Sequence, residues 1–181
     1  MIKKPRLIIA PLTKSDCADI HYKNSFSEVA AFNTIGIPKN LKVTEDFLQP
    51  LFKPQQVENG QQLGWSIRLL KENTFIGELG MRVSSPKYNK GEIHYSLIPA
   101  FWNKGYATEA VQAILKHGFE TLNLHRIEAG VTSQNLKSIK LLEKVGMTRE
   151  GMHQKFCRFA DNGLTILAML FWWKIKLSLS F

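Results

Sequence analysis

The chain is 181 residues long, with 44% hydrophobic and 22% charged residues, which excludes a disordered or fibrous chain and fits one folded domain over 1–181. Folding at this length buries about 70% of the extended chain's surface, so the core needs no disulfide or metal staples. With 24 Lys and Arg against 15 Asp and Glu the formal charge is +9, which suits an anionic ligand or partner as well as ordinary solvated surface.

The basic start, Met1 to Arg6, runs into a short apolar stretch, Leu7 to Leu12, with Pro11 inside it. That is too short for a signal-peptide core, and no small-residue cleavage site follows. Arg6 to Leu12 reads instead as a first strand. A helical pattern follows, with Thr13 or Ser15 as cap and Asp16 in the first turn, until Gly36 and Pro38 break it. Thr44 is placed to cap a further helix, Glu45 to Phe52, interrupted by Pro50 and Pro54. Leu63 to Leu70 and Thr74 to Val83 predict a hairpin joined by Lys71-Glu72-Asn73. After a polar loop, Ser84 to Lys90, a strand runs from Gly91 to Ile98 and Pro99 ends it.

Tyr106 to Leu122 carries the clearest helical period, with Ala107, Ala110, Val111, Ile114, Leu115, Gly118 and Leu122 on one face. Arg126 to Val131 reads as a strand and Asn135 to Val145 as a helix, with Gly146 at its left-handed C-terminal position. Met147 to His153 and Leu164 to Lys174 complete the pattern as strands. The apolar run Leu164 to Trp173, about ten residues, is half a bilayer span and reads as a buried element, so no membrane association is expected. Cys17 and Cys157 make neither a metal site nor a disulfide framework and fit a reducing cytoplasm, though a single bridge between them stays open. The order predicts an α/β fold, a mixed central sheet of about seven strands flanked by helices on both faces.

Two stretches carry chemistry. In Trp102-Asn103-Lys104-Gly105-Tyr106-Ala107-Thr108 a loop leads into a long helix. Free N–H groups and the dipole at such a start attract an anion. Gly105 and the small Ala107 let main chain approach a phosphate, and Lys104 adds charge. Taken alone, Gly105 is also an ordinary loop glycine. In the second stretch Asn135 lies between a strand and a helix, with Ser138 one turn on. By itself Asn135 reads equally as a helix cap. There is no zinc-finger spacing and no aromatic strand signature of an RNA-recognition sheet, so no nucleic-acid motif is present.

Together the two stretches resemble the GNAT superfamily of acetyl-CoA-dependent N-acetyltransferases. That family's signature is Arg/Gln-x-x-Gly-x-Gly/Ala, and here it reads Trp102-x-x-Gly105-x-Ala107. Trp at the first position is similar to the branch of ribosomal-protein N-terminal (alanine) acetyltransferases. So are Leu124-His125-Arg126-Ile127-Glu128-Ala129, Asn135-x-x-Ser138, Glu143-Lys144-Val145-Gly146-Met147, Arg6 to Leu12 and Gly91 to Tyr95. The likeness extends over about 6 to 173.

The resemblance implies the acyl-CoA N-acyltransferase (GNAT) fold, with acetyl-CoA as co-substrate and no metal. It implies a diphosphate held by backbone N–H groups of Asn103, Lys104, Gly105, Tyr106, Ala107 and Thr108. The main chain of Tyr95, Ser96 and Leu97 would pair with the pantetheine arm and polarise the thioester carbonyl. Asn135 would bond the arm. The family's thiolate-protonating tyrosine, seven residues after the asparagine, is replaced here by Leu142, and Ser138 is the nearest hydroxyl by pattern. Strand alternation puts Glu92, His94 and Ser96 on one face, with Glu92 the first candidate base and His94 and Glu128 behind it. His94 stands where the branch often has glycine. Some relatives carry glutamate at the place of Gly130.

The acceptor implied is a primary amine, the N-terminal α-amine of a ribosomal protein by resemblance. A polyamine, an aminoglycoside or an amino-acid-like antibiotic is the alternative, and a cofactor-binding module without turnover a second one. Monomer and homodimer are both open.

Overall fold

The computed structural model describes residues 1–33, 35–52, 60–153 and 168–174. They form one eight-stranded sheet, β1 (Ile2–Lys3), β2 (Leu7–Pro11), β3 (Gln61–Leu69), β4 (Phe75–Val83), β5 (Lys90–Leu97), β6 (Arg126–Thr132), β7 (Thr148–His153) and β8 (Ala168–Lys174). The spatial order is β1-β2-β3-β4-β5-β6-β8-β7, and the pair β5–β6 alone is parallel. The helices are α1 (Cys17–Asn24), α2 (Ser27–Ala30), α3 (Leu41–Leu48), α4 (Tyr106–Glu120) and α5 (Leu136–Lys144). This is the mixed sheet that the β-α-β-α order predicts, with a two-residue β1 added at its edge.

Both faces are covered. α4 is the crossover between the parallel strands β5 and β6, and it buries Ala110, Val111, Ile114 and Leu115 against Ile9, Ile67, Leu79 and Ile127. Gly118 allows the close approach, since a Cβ there would meet Ile127 Cδ1 at 2.6 Å. On the opposite face Cys17, Ile20, Leu48, Phe75 and Ile98 form a smaller cluster under α1 and α3. Cys17 is a buried free thiol. Cys157, and the start of the expected last strand at 164–167, lie outside the described residues.

The helical pattern after β2 is broken up rather than continuous. Thr13 and Asp16 form a capping box, and Asp16 also accepts from Arg68 Nη2 at 2.6 Å. Extended Phe26 (φ −76°, ψ 125°) separates α1 from α2. α3 starts at Leu41, earlier than the pattern predicts. Asn40 caps it through Oδ1 to the Val43 N–H, 3.1 Å. Thr44, expected as the cap, is buried and meets His21 Nδ1 at 2.9 Å, tying α3 to α1.

The sheet opens at one place. β5 and β6 share three paired positions, Lys90–Arg126, Gly91–Ile127 and Glu92–Glu128, and then part. β5 stays with β4 as far as Leu97, and β6 stays with β8 as far as Thr132. The closed end is clamped by Lys90 Nζ to Glu128 Oε2 (3.0 Å) and Arg126 Nε to Glu128 Oε1 (2.6 Å).

α1 is pinned to the sheet by a buried charge. Lys23 is 1% exposed, and its ammonium meets Glu78 Oε1 at 3.0 Å and Asn24 Oδ1 at 2.7 Å. Removing one partner strands the other in low dielectric. Lys23→Ala should therefore cost about 3–5 kcal/mol in urea unfolding, while the double change Lys23→Met with Glu78→Leu should recover most of it.

Candidate active site

β5 ends at Leu97, a single 3-10 turn covers Pro99–Phe101, and Trp102 is extended before α4 begins at Tyr106. In the turn ahead of α4, Asn103 (φ 59°) and Gly105 (φ 79°) are left-handed. Asn and Gly are the residue types that adopt this conformation at little cost, so the local sequence selects the bend. The first N–H groups of α4 have no acceptor within the helix, and the helix dipole favours negative charge at this end. Asn103, Lys104 and Gly105 are exposed, and Tyr106, Ala107 and Thr108 are partly so. The six residues expected to hold a diphosphate thus lie together in one curled segment with free donors, the chemistry that a diphosphate needs.

Arg6 straps this turn down, a contact with no local signal in the sequence. Its Nη1 donates to the Lys104 carbonyl at 2.9 Å, and its Nε and backbone N–H donate to Glu109 at 2.8 and 3.0 Å. The guanidinium lies 4.7 Å from the centre of the Tyr106 ring. A Cβ on Gly105 would meet Arg6 Nη2 at 3.3 Å.

The opening between β5 and β6 leads to the same turn. The Ile98 N–H bonds to the Ile76 carbonyl and the Lys90 carbonyl accepts from Ser84, so even-numbered residues of β5 direct their main-chain groups to β4. Beyond Ile93, which closes the last pairing with β6, Tyr95 and Leu97 therefore direct theirs into the opening. Of the three residues expected to pair with a pantetheine arm, Tyr95 and Leu97 line the open edge, whereas the main chain of Ser96 belongs to the β4 ladder. The Leu97 carbonyl already accepts from Trp102 Nε1 at 2.8 Å. Lys137 of α5 stacks its ammonium 4.8 Å from the Trp102 ring. Trp102, the departure from the usual signature, thus closes the mouth between β5 and α5.

Asn135 caps α5, with Oδ1 accepting from the Ser138 N–H at 3.1 Å. Its NH2 group is the part left to bond a ligand. Ser138 is half-buried on the first turn, and Leu142 is packed in the core at 1% exposure. Tyr95 turns its ring to the α5 side, where burial pushes the phenol up to about 12 against a smaller opposing effect of the Ser138 hydroxyl.

The other face of β4 and β5 carries the titratable groups. Glu78 lies opposite Ser96, Gly80 opposite His94, and Arg82 opposite Glu92. The His94 imidazole lies over Gly80, where a Cβ would come within 2.3 Å of Cε1 and Nε2. Water reaches the ring, but protein encloses most of it. That desolvation, then the charges of Lys23 and Arg82, hold its pKa below the usual 6.5, so the imidazole is neutral at pH 7. Glu92 is exposed at the last paired position of the opening. Glu128 is a poor base: burial raises its pKa, but Lys90 and Arg126 outweigh burial and hold it below the ordinary carboxylate value. Glu78 escaped the sequence reading. Burial pushes its carboxyl up, Lys23 offsets this in part, and its Oε2 is buried without a hydrogen-bond partner.

A family profile described as an acetyltransferase (GNAT) domain matches residues 6–148. The uncharacterised N-acetyltransferase YnaD of Bacillus subtilis is 31% identical over 154 residues, 85% of this chain and 86% of that protein. A GNAT-family acetyltransferase from Bacillus anthracis superposes with a TM-score of 0.81 at 28% identity, covering 96% of this chain and 97% of that one. A spermidine N-acetyltransferase from Vibrio cholerae, crystallised with CoA and spermine, superposes with a TM-score of 0.81 at 19% identity, covering 94% and 96%.

If Arg6 holds the curled segment in shape, Arg6→Ala should raise the Kd for coenzyme A roughly tenfold while leaving the circular dichroism spectrum unchanged. Isothermal titration measures this directly.

Proposed function

The chain belongs to the GNAT family of acetyltransferases, and on that premise we propose that it transfers the acetyl group of acetyl-CoA to the N-terminal α-amine of a protein, ribosomal proteins being the class its motifs resemble. One observation carries the reading: β5 parts from β6 after Glu92, and the chain continuing from its free edge curls at Asn103 and Gly105 ahead of α4. An extended arm anchored there by its diphosphate reaches inward along the free edge of β5. Acetyl-CoA supplies an activated thioester, and the chain's residues do the rest.

Backbone N–H groups of Asn103 to Thr108 hold the diphosphate. Tyr95 and Leu97 bond the arm by main chain, and the Asn135 NH2 bonds it from the other side. A main-chain N–H on the free edge of β5 faces the thioester oxygen and steadies the charge that gathers there. The acceptor enters from the opposite face, under α1 to α3. His94, neutral and reached by water, takes the amine's proton, and Glu92 on the same face is the outlet to solvent. Ser138 donates to the departing sulfur. A protein α-amine has a pKa near 8, so a useful fraction is already neutral at pH 7.5 and modest base assistance suffices. Two thiols and an acyl-CoA co-substrate suit the reducing cytoplasm, which we propose as its compartment.

A second reading, a polyamine acceptor, is favoured by the overall match to the Vibrio cholerae enzyme. The charges on the acceptor face weigh against it, because Lys23 and Arg82 stand beside Glu78 and Glu92 and leave little net attraction for a polycation. Thiol release from acetyl-CoA with peptides bearing N-terminal Ala or Ser, compared with spermidine, separates the two. The peptides should show kcat/KM at least about tenfold higher. The reverse order assigns a polyamine acceptor, and tight coenzyme A binding with no release for any amine assigns a module without turnover.

The pH dependence follows from His94. Its folded pKa is lowered, so the proton-accepting form is complete at pH 7 and is lost only as pH falls through a value below 6.5. kcat/KM should therefore rise through neutrality as the acceptor amine, pKa near 8, loses its proton, with an additional, steeper acid limb below 6.5 where His94 protonates as well. His94→Ala should abolish that limb and lower kcat/KM by about 10²–10⁴.

A further inference from the structure

The main-chain role of Tyr95 leaves its side chain unused. Alternation along β5 sends the ring to the face of α4 and α5, where it packs against the core. Its hydroxyl is buried and has no hydrogen-bond partner. The Ser138 hydroxyl is near enough to pull the phenol's pKa down, yet the two are not placed as a hydrogen-bonded pair. A buried donor without an acceptor is expensive, and folded proteins seldom keep one unless a ligand supplies the missing atom. Two neighbouring hydroxyls that do not bond each other can both point at one acceptor placed between them. Both flank the path of the thioester arm: Tyr95 lies on the strand that bounds the opening, and Ser138 lies on the helix beginning at its mouth. Leu142, further along the same helix, is packed in the core and carries no donor.

Resting on the acetyltransferase reading above, we propose that the Tyr95 hydroxyl is a catalytic hydrogen-bond donor to the departing sulfur, acting beside Ser138. The tyrosine that the family pattern places on the helix is supplied here from the strand. The step balances without an acid. The C–S bond breaks and its electron pair goes to sulfur. Tyr95 and Ser138 each direct an O–H at the thiolate. The proton lost by the amine leaves through His94 to solvent, and the released thiolate takes one from solvent. The phenol, near 12, lies well above a thiol near 8.5, so Tyr95 keeps its proton and contributes a hydrogen bond rather than an acid.

Tyr95→Phe tests this, because it removes one oxygen that bonds nothing in the free protein. The acetyl-transfer assay with an N-terminal Ala peptide should show kcat falling about 10- to 100-fold, with the KM for acetyl-CoA within about twofold. The melting temperature should hold or rise, since an unsatisfied donor has gone. A second readout needs no acceptor: the thiol of bound coenzyme A, followed by the ultraviolet absorbance of its thiolate, should titrate about one pH unit higher in Tyr95→Phe than in the parent. Unchanged kcat and an unchanged thiol titration would overturn the assignment, as would a lowered melting temperature with full activity, which marks Tyr95 as packing alone. Ser138→Ala separates the levels. Loss of activity in Ser138→Ala but not in Tyr95→Phe overturns the role of Tyr95 and leaves the site standing. A parent protein that binds no coenzyme A removes the acetyltransferase reading itself.

Discussion

Parallel strands normally bond along their whole shared length, because each unpaired N–H and carbonyl buried between them is costly. β5 and β6 bond at three positions and then diverge, which leaves the odd-numbered main-chain groups of β5 facing a gap. The protein satisfies one of them itself, the Leu97 carbonyl, through the Trp102 indole. Those of Tyr95 and Leu97 that face the gap could pair with an extended ligand added to the sheet as a partial strand, as the proposed function requires. The ion pairs of Glu128 with Lys90 and Arg126 fix where the gap begins, and the left-handed residues Asn103 and Gly105 fix where it ends. A ligand with an amide-bearing arm and a diphosphate at its far end fits both limits at once.

The sheet also separates two sets of polar groups. Leu79 and Met81 of β4 and the odd-numbered side chains of β5 face α4 and α5, so Tyr95 shares that face with Ser138. Glu78, Glu92 and His94 lie on the face of α1 to α3, the side from which the proposed reaction would bring in the amine. Gly80 keeps the amine side open by leaving room for the imidazole. Buried Lys23 works on that side too. It locks α1 onto β4 and adds positive charge that helps keep His94 in the form able to accept a proton.

The left-handed turn and the long helix are legible in the sequence because both are local. Gly105 before a sharp 3.6-residue period needs only neighbouring residues to be recognised, and the same holds for Pro99 ending β5 and for the cap at Asn135. Thr44 was misread because Thr and Asn are both good caps. What decides between them is the extended backbone at Asn40 (φ −161°, ψ 170°), which the residue type alone does not show. The contacts that complete the site are all distant in sequence. Arg6 reaches Glu109 across 103 positions, and Lys23 finds Glu78 only once α1 lies on β4. Glu78 itself reads as one polar residue inside an apolar strand, with nothing to mark it as buried. The direction of the Ser96 main chain is hidden from the sequence for a related reason: which way a strand's main-chain groups point depends on its register with β4.

The same geometry explains how the family's usual acid can be missing without loss of a donor. A residue seven positions beyond Asn135 sits two turns along α5, and in this chain that position is Leu142, part of the core beneath the helix. A phenol at Leu142 would displace packing. The phenol of Tyr95 arrives from the strand across the gap, with its ring packed against the core and its hydroxyl buried without a partner. With the proposed donor on the strand, α5 is free to bury Leu142, and the Tyr95 hydroxyl would approach the sulfur from the face opposite the one assigned to the amine. The constraint is therefore on where a donor ends, not on which element carries it, and a signature that specifies only the helix position overlooks a strand that satisfies it.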